Sequence, residues 1–292
     1  MTLPRSAAPI LLVSLLLTLA CIALAPAAGA NPLAPSLMAC DGQGHIFDLY
    51  IMAVGPAGSA PSTWFAWERC ALTGPVDEIA ALMPAGAPLF VQTGHESGSY
   101  AVYSGGLMTF CEPPTSQVAD GLCITGLESA GGMLYAVVGP RACGAGSLDR
   151  FDQVSGSFTP IGSTGMVSLR GLAWDPLSGS GLYSLAYGPT TCDESGIPDL
   201  VRIDPATGAA TVIGSTGVQN LISLSFASGF LIGGSGSLDG GNLYLIDTAS
   251  GAARLIGDHG TEGPEIRGLT PFGGLIVPVR PSSWGQLKSI YR

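Results

Sequence analysis

Between Leu148 and Gly260 the hydrophobic and polar positions recur in one order. "LDRFDQVSGSFTPIGSTG" (Leu148–Gly165), "LVRIDPATGAATVIGSTG" (Leu200–Gly217) and "LYLIDTASGAARLIGDHG" (Leu243–Gly260) align without a gap at offsets of 52 and 43 residues. Asp152, Asp204 and Asp247 coincide, as do Gly156, Gly208 and Gly251, and then Ile161, Ile213 and Ile256. Each copy opens with an alternating apolar run, which predicts a half-buried strand. It then reaches D-x-x-[TS]-G, where the Asp side chain can bond turn amides and the Gly can take a positive φ. The run after Gly208 is "AATVI", β-branched and strand-like, so each copy predicts a hairpin. A phosphate cradle would need those glycines at a helix N-terminus, and no helix start follows them.

A second pair of strands precedes each hairpin. "GLAWDPLSGSGLYSLAYG" (Gly171–Gly188) aligns with "GLCITGLESAGGMLYAVVG" (Gly121–Gly139), and more loosely with "SLSFASGFLIGG" (Ser223–Gly234). "GLTPFGGLIVPV" (Gly268–Val279) carries the first two strands again. The repeating unit is therefore four strands in roughly 45–50 residues, as in one blade of a β-propeller. "EIAALMPAGAPLFVQTGHESGSYAVYSGGLMTF" (Glu78–Phe110) reads as a further, divergent blade. First strands near 79, 122, 172, 224 and 269 predict five blades, with six as the alternative because the N-terminal strands are ambiguous. The last copy has only its first two strands, and "HIFDLYIMAV" and "STWFAWERC" from the N-terminal region are expected to supply the third and fourth. Closure of that kind removes the free sheet edges of an open array.

The pattern "LY…[IL]D…[TS]G…IGxTG" resembles secreted bacterial β-propeller repeat proteins of the NHL, YVTN and quinoprotein-like group. The resemblance covers Asp120–Val279 and implies the fold more than an activity, because the matching residues build turns and strands. "IDPATG" is similar to the D-x-x-T-G of quinoprotein repeats. Those carry a Trp shortly afterwards, where this chain has Ile213 or Ile161, so no quinone cofactor is implied.

Composition adds a location and removes one class of partner. The 292 residues are 47% hydrophobic and 11% charged, with 43 Gly, 22 Pro and a formal charge of −10. That balance argues against nucleic acid, whose phosphates need Lys and Arg to neutralise them. The first thirty residues pair Arg5 with an apolar run from Ile10 to Ala25, then "APAAGA|NP" with Ala28 and Ala30 at the small cleavage-site positions. They predict a signal peptide (1–30) ahead of a propeller domain (31–280) and a short tail (281–292). The expected location is secreted, periplasmic or at the cell surface. Lipid anchoring through Cys21, in "LTLAC", is the alternative, and no later segment is long and apolar enough to span a bilayer.

Removal of the signal leaves Cys40, Cys70, Cys111, Cys123, Cys143 and Cys192. An even number in an exported chain predicts disulfides. Cys143 in "GPRACGAGS" and Cys192 in "GPTTCDESGIPD" share G-P-x-x-C at equivalent positions of neighbouring repeats and are expected to pair; the pairing of the other four is open. Candidate ligand groups lie where the innermost strands begin. Asp120, Arg170, Ile222 and Arg267 align there, and Arg170 and Arg267 could fork onto a carboxylate or phosphate. The competing expectation is that they pair with neighbours such as Asp120 or Asp175.

No metal or cofactor is predicted. Asp193, Glu194 and Asp199 in one loop, with Asp239 in another, are oxygen ligands of a kind that hold Ca²⁺, but they lack a recognisable spacing. Of His45, His95 and His259, His95 adjoins Glu96 in an apparent surface turn. G-x-S-x-G, H-E-x-x-H and phosphate-loop motifs are absent from the sequence. The chain therefore reads first as an exported, non-enzymatic binding module for a protein or a small anionic or carbohydrate ligand. The alternative is an extracytoplasmic lyase or hydrolase acting on a carbohydrate or lactone in the central channel. The tail groups Trp284, Leu287 and Tyr291 at helical spacing, suited to docking or sorting.

Overall fold

The computed structural model describes residues 30–32, 37–41, 43–54, 60, 63–71, 76–81, 89–93, 99–103, 116–119, 123–139, 145–152, 157–179, 181–188, 196–227, 229–236, 241–256 and 265–271. All regular structure among them is β. The strands are β1 (Ala30–Pro32), β2 (Leu37–Cys40), β3 (His45–Val54), β4 (Thr63–Ala71), β5 (Val76–Ala81), β6 (Leu89–Thr93), β7 (Ser99–Tyr103) and β8 (Ser116–Ala119). They continue as β9 (Cys123–Ala130), β10 (Met133–Gly139), β11 (Ala145–Asp152), β12 (Ser157–Val167), β13 (Leu169–Trp174), β14 (Leu182–Ala186), β15 (Asp199–Ile203) and β16 (Ala210–Ser215). The last are β17 (Leu221–Ala227), β18 (Phe230–Ser235), β19 (Leu243–Ile246), β20 (Ala253–Leu255) and β21 (Gly268–Pro271).

Consecutive strands form four antiparallel, four-stranded sheets: the first β5–β8, the second β9–β12, the third β13–β16 and the fourth β17–β20. A terminal sheet joins the chain ends in the order β1-β3-β2-β21, with β4 on the other edge of β3. The leading strands touch in sequence, β5 on β9, β9 on β13, β13 on β17 and β17 on β21, and β21 touches β5. "HIFDLYIMAV" and "STWFAWERC" fall in β3 and β4, as the repeat predicts. The strand beside β21 differs from expectation. Leu37–Cys40 takes that place in the register Leu37↔Pro271 to Cys40↔Gly268, where Leu275–Val279 was expected. All four residues of β2 are buried, and Leu37 and Ala39 pack with Ile266 and Leu269. Residues 272–279 lie outside the described residues.

Alternation along single strands fills both faces of the third sheet. Leu182 and Ala186 of β14 pack toward Tyr135, Val137 and Leu148 of the second sheet. Tyr183 and Leu185 point the other way, toward Leu224, Phe226 and Leu231 of the fourth. The strands are thus buried on two sides, which the period-2 pattern alone does not demand.

The repeated turn residues act within a sheet and between sheets. Asp204 accepts hydrogen bonds from the Ala206 amide at 2.8 Å and the Thr207 hydroxyl at 2.9 Å. Asp247 does the same with Ala249 and Ser250 at 2.9 and 3.0 Å. Gly208 and Gly251 have φ of 78° and 84°. A Cβ on Gly208 would come 2.6 Å from the Gly162 carbonyl oxygen, and one on Gly251 would overlap that of Gly214. The turns Asp204–Gly208 and Asp247–Gly251 therefore each seat against the I-G of the preceding sheet. The two glycines of the repeat face each other across the sheet interface.

Candidate functional site

In every four-strand meander, the first-to-second and third-to-fourth turns share one end, the turn end. The second-to-third connection and the link to the next sheet share the other, the loop end. The D-x-x-[TS]-G turns occupy the turn end, and the sequence-predicted arginines lie at the loop end.

Arg170 lies on β13, opposite Leu185, just before the irregularity in pairing that precedes Ala173. The backbone there is fixed from the neighbouring strand: Ser184 Oγ donates to the carbonyls of Arg170 and Gly171 at 3.1 and 2.7 Å. Arg170 is half-buried, and the equivalent Ile222 of the fourth sheet is buried. Two residues earlier, Ser168 and Asn220 both carry positive φ, 52° and 58°. Few side chains accept that region, Asn more readily than Ser, and it turns the link sharply into the innermost strand. Strain of this kind collects at functional sites.

Arg267 precedes β21, and its amide donates to the Cys40 carbonyl at 2.9 Å. Its Nε pairs with Glu265 Oε1 at 3.0 Å. Asp175, one of its expected partners, caps the turn at the far end of β13 by accepting from the Leu177 amide at 2.9 Å. The other, Asp120, lies outside the described residues. Beside Cys40, Asp41 closes the β2–β3 connection. Its Oδ1 accepts from the amides of Gln43 and His45 at 2.9 and 2.8 Å, and its Oδ2 meets His45 Nδ1 at 2.7 Å. Asp41 is buried and His45 is part-exposed. A carboxylate on Nδ1 orients the imidazole and leaves Nε2 as its second polar atom. Arg170, Arg267, Glu265, Asp41 and His45 thus belong to the loop end, on the third and terminal sheets.

Beneath this layer the innermost strands close on each other. A Cβ on Gly126 would lie 2.7 Å from the Gly171 carbonyl carbon, and one on Gly171 would lie 2.8 Å from the Leu224 amide nitrogen. At these glycines β9 meets β13, and β13 meets β17, backbone to backbone.

Nearer the turn end Glu128 is buried between β9 and β13. Its oxygens accept from the amides of Ser129 at 2.7 Å and Trp174 at 3.2 Å. Burial pushes its carboxyl up to about 8, against the smaller opposing effect of those two amides. It is a neutral acid at pH 7, linking the second sheet to the third.

Of the six cysteines, Cys40 and Cys123 are buried, and Cys70 lies on β4. Cys111, Cys143 and Cys192 are outside the described residues, as are Asp193, Glu194, Asp239, His95 and His259. Asp199 opens β15. Among the described residues no three His, Cys, Asp or Glu side chains converge on a metal position, and no helix is long and apolar enough to cross a membrane.

No protein-family model matches the chain, and no curated protein matches it. Solved structures do. A nidogen/laminin complex matches at a TM-score of 0.51 with 16% identity, over 82% of this chain and 85% of that one. An aldose sugar dehydrogenase from Streptomyces coelicolor, in its PQQ-bound form, matches at 0.48 with 14% identity, over 85% and 90%. A luciferin-regenerating enzyme matches at 0.46 with 13% identity, over 82% and 80%. These neighbours are β-propeller proteins, binding and enzymatic members among them.

This chain has the β-propeller fold.

At such identities the likeness reports the fold alone. The Asp41–His45 pair was legible in "DGQGH" as an acid four residues before a histidine across two glycines. Glu265 was legible two positions before Arg267. Nothing in the sequence around Glu128 distinguishes it from a solvated strand-end acid.

Proposed function

We propose that the protein is an exported binding module, a five-bladed propeller closed by its two chain ends, whose loop end takes a small polar anion such as a sugar acid. The observation that carries this reading is the placement of Arg170 and Arg267 at the loop end, one on β13 and one just before β21. Arg170 and Arg267 stand at one repeat position on different sheets and fork onto a carboxylate. Asp120 aligns with them in the sequence repeat. Hydroxyl groups of the ligand meet Asn220, Ser168 and the Asp41-oriented His45.

Residues 1–30 direct export and are removed, and pairing of Cys143 with Cys192 ties two loops beside the mouth. The enzyme reading rests on Glu128, whose carboxyl has the proton affinity of a general acid at neutral pH. Its enclosure between two innermost strands, with both oxygens on backbone amides, favours a structural part.

The test is thermal unfolding of the protein with gluconate and glucuronate, beside an Arg170→Ala/Arg267→Ala variant. A ligand at about 100 times its Kd adds roughly 2.7 kcal/mol. The expected result is a rise in Tm that the double variant lacks. A rise that survives in the variant would move the site elsewhere, and no rise with either anion would end the sugar-acid reading.

A further inference from the structure

The fourth sheet departs from the repeat at one cross-strand row, and a cavity opens there. In the second sheet the row reads Tyr135, Arg150, Thr159 across β10, β11 and β12. In the third it reads Tyr183, Arg202, Thr211. In the fourth it reads Ile232, Leu245, Arg254. The arginine has moved from the third strand to the outermost one. Aliphatic side chains fill the two inner places, where the second and third sheets put a phenol and a guanidinium.

The consequence is a cavity of about 350 Å³ at the turn end, lined by Phe230, Leu245, Ile246, Thr248, Ala252 and Arg254 among others. Phe230 and Leu245 are half-buried on the side of the core shared with the terminal sheet. Arg254 is exposed, and among the described residues no carboxylate pairs with it. The nearest acid in the lining, Asp247, has one oxygen on the Ala249 amide and the other on the Ser250 hydroxyl. Those bonds hold its carboxyl below the usual range and its charge within the turn. Gly229, with φ of 84°, forms part of the rim.

A partly apolar wall with one exposed guanidinium at its edge has the chemistry of a site for an amphipathic acid. We propose that this cavity binds a small monocarboxylate with an apolar body. Its carboxylate sits on Arg254, and its hydrocarbon lies against Phe230 and Leu245. The site is separate from the loop end and does not depend on the function proposed for it. The mouth offers polar groups to a hydrophilic anion, whereas this cavity offers hydrocarbon and one cation.

Octanoate is the probe, with octanol and acetate as its two halves, titrated into the protein by isothermal calorimetry. Octanoate is expected to bind saturably with one site at the turn end, and the controls at least tenfold more weakly. Arg254→Gln should weaken octanoate at least tenfold, about 1.4 kcal/mol, while Arg254→Lys recovers part of the loss. Leu245→Arg/Arg254→Thr, which restores the row of the other sheets, should abolish binding. Arg170→Ala/Arg267→Ala should leave octanoate binding unchanged. Arg254 is exposed, so its variants should melt as the wild type does. No saturable binding, or equal affinity in Arg254→Gln, would overturn the proposal. So would sedimentation showing a dimer that Leu245→Arg/Arg254→Thr dissociates, since a second copy would then occupy the face.

Discussion

The two ends of the propeller are built on opposite rules. At the turn end, Asp204 and Asp247, Thr207 and Ser250, and Gly208 and Gly251 repeat from the third sheet to the fourth with nearly the same bond lengths. At the loop end, equivalent positions carry Ser168, Asn220 and Glu265, then Arg170, Ile222 and Arg267. What repeats is scaffold, because each sheet must seat a turn against its neighbour in the same way. What varies bears no common packing duty and is available for recognition. The fourth sheet breaks the rule at its turn end, through Leu245 and Arg254, and a cavity lies where it does.

The sharpest way to break this comparison is at the glycines. Gly251→Val would force a β-branched residue to φ of 84° and drive its Cβ into the Gly214 carbonyl. The backbone must then move, so the expected loss is about 4 kcal/mol or more, read by denaturant unfolding. A cost under about 1 kcal/mol would show that the turns do not lock the sheets.

Glu128 sharpens the comparison through pH. Its carboxyl is raised to about 8 from an ordinary 4.5, so between those values the folded chain binds more protons than the unfolded one. Stability then falls as pH rises through that window, by about 3 kcal/mol at pH 7. Glu128→Gln removes the titration. Its stability relative to wild type should therefore climb by about that amount from pH 4.5 to pH 7. A difference that stays flat would place Glu128 in contact with water.

Smaller effects are expected at the turn acids. Asp204 is held below the ordinary carboxylate range, first by the Ala206 amide and then by the Thr207 hydroxyl. Its contribution is present at neutral pH and is lost as pH falls through its lowered value. Asp204→Ala should cost about 1 kcal/mol at pH 7, and less in acid, by thermal unfolding at each pH. A small stability effect is expected of Arg170→Ala, since the substitution leaves intact the bond from the Ser184 hydroxyl to its backbone carbonyl. Its Tm should stay near that of the wild type.

The hairpins were legible because short-range chemistry specifies them. An Asp that bonds its own turn and a Gly that needs positive φ leave a trace at fixed spacing, and three copies make the trace unmistakable. The second strand of the terminal sheet was misread for a reason of topology. "LIVPV" has the composition and spacing of a second strand after β21, but Leu37–Cys40 reaches that edge from the other end of the chain. Local pattern cannot rank two segments competing for one edge. The arginine pair was legible from the repeat alignment. The place of Asp41 and His45 beside Arg267 was not, because β2 and β21 are brought together by sheet pairing across most of the chain. Glu128 was hidden for a related reason. One of its two amide partners, Trp174, lies on another sheet, 46 residues away.

The separation of scaffold from recognition is tested most directly by one calorimetric titration of glucuronate, with Tm recorded alongside. It compares wild type with Asp204→Ala/Asp247→Ala and with Arg170→Ala/Arg267→Ala. The turn pair should lower Tm and keep the affinity, while the arginine pair should lose the affinity and keep Tm. Affinity and Tm falling together in both variants would contradict the account.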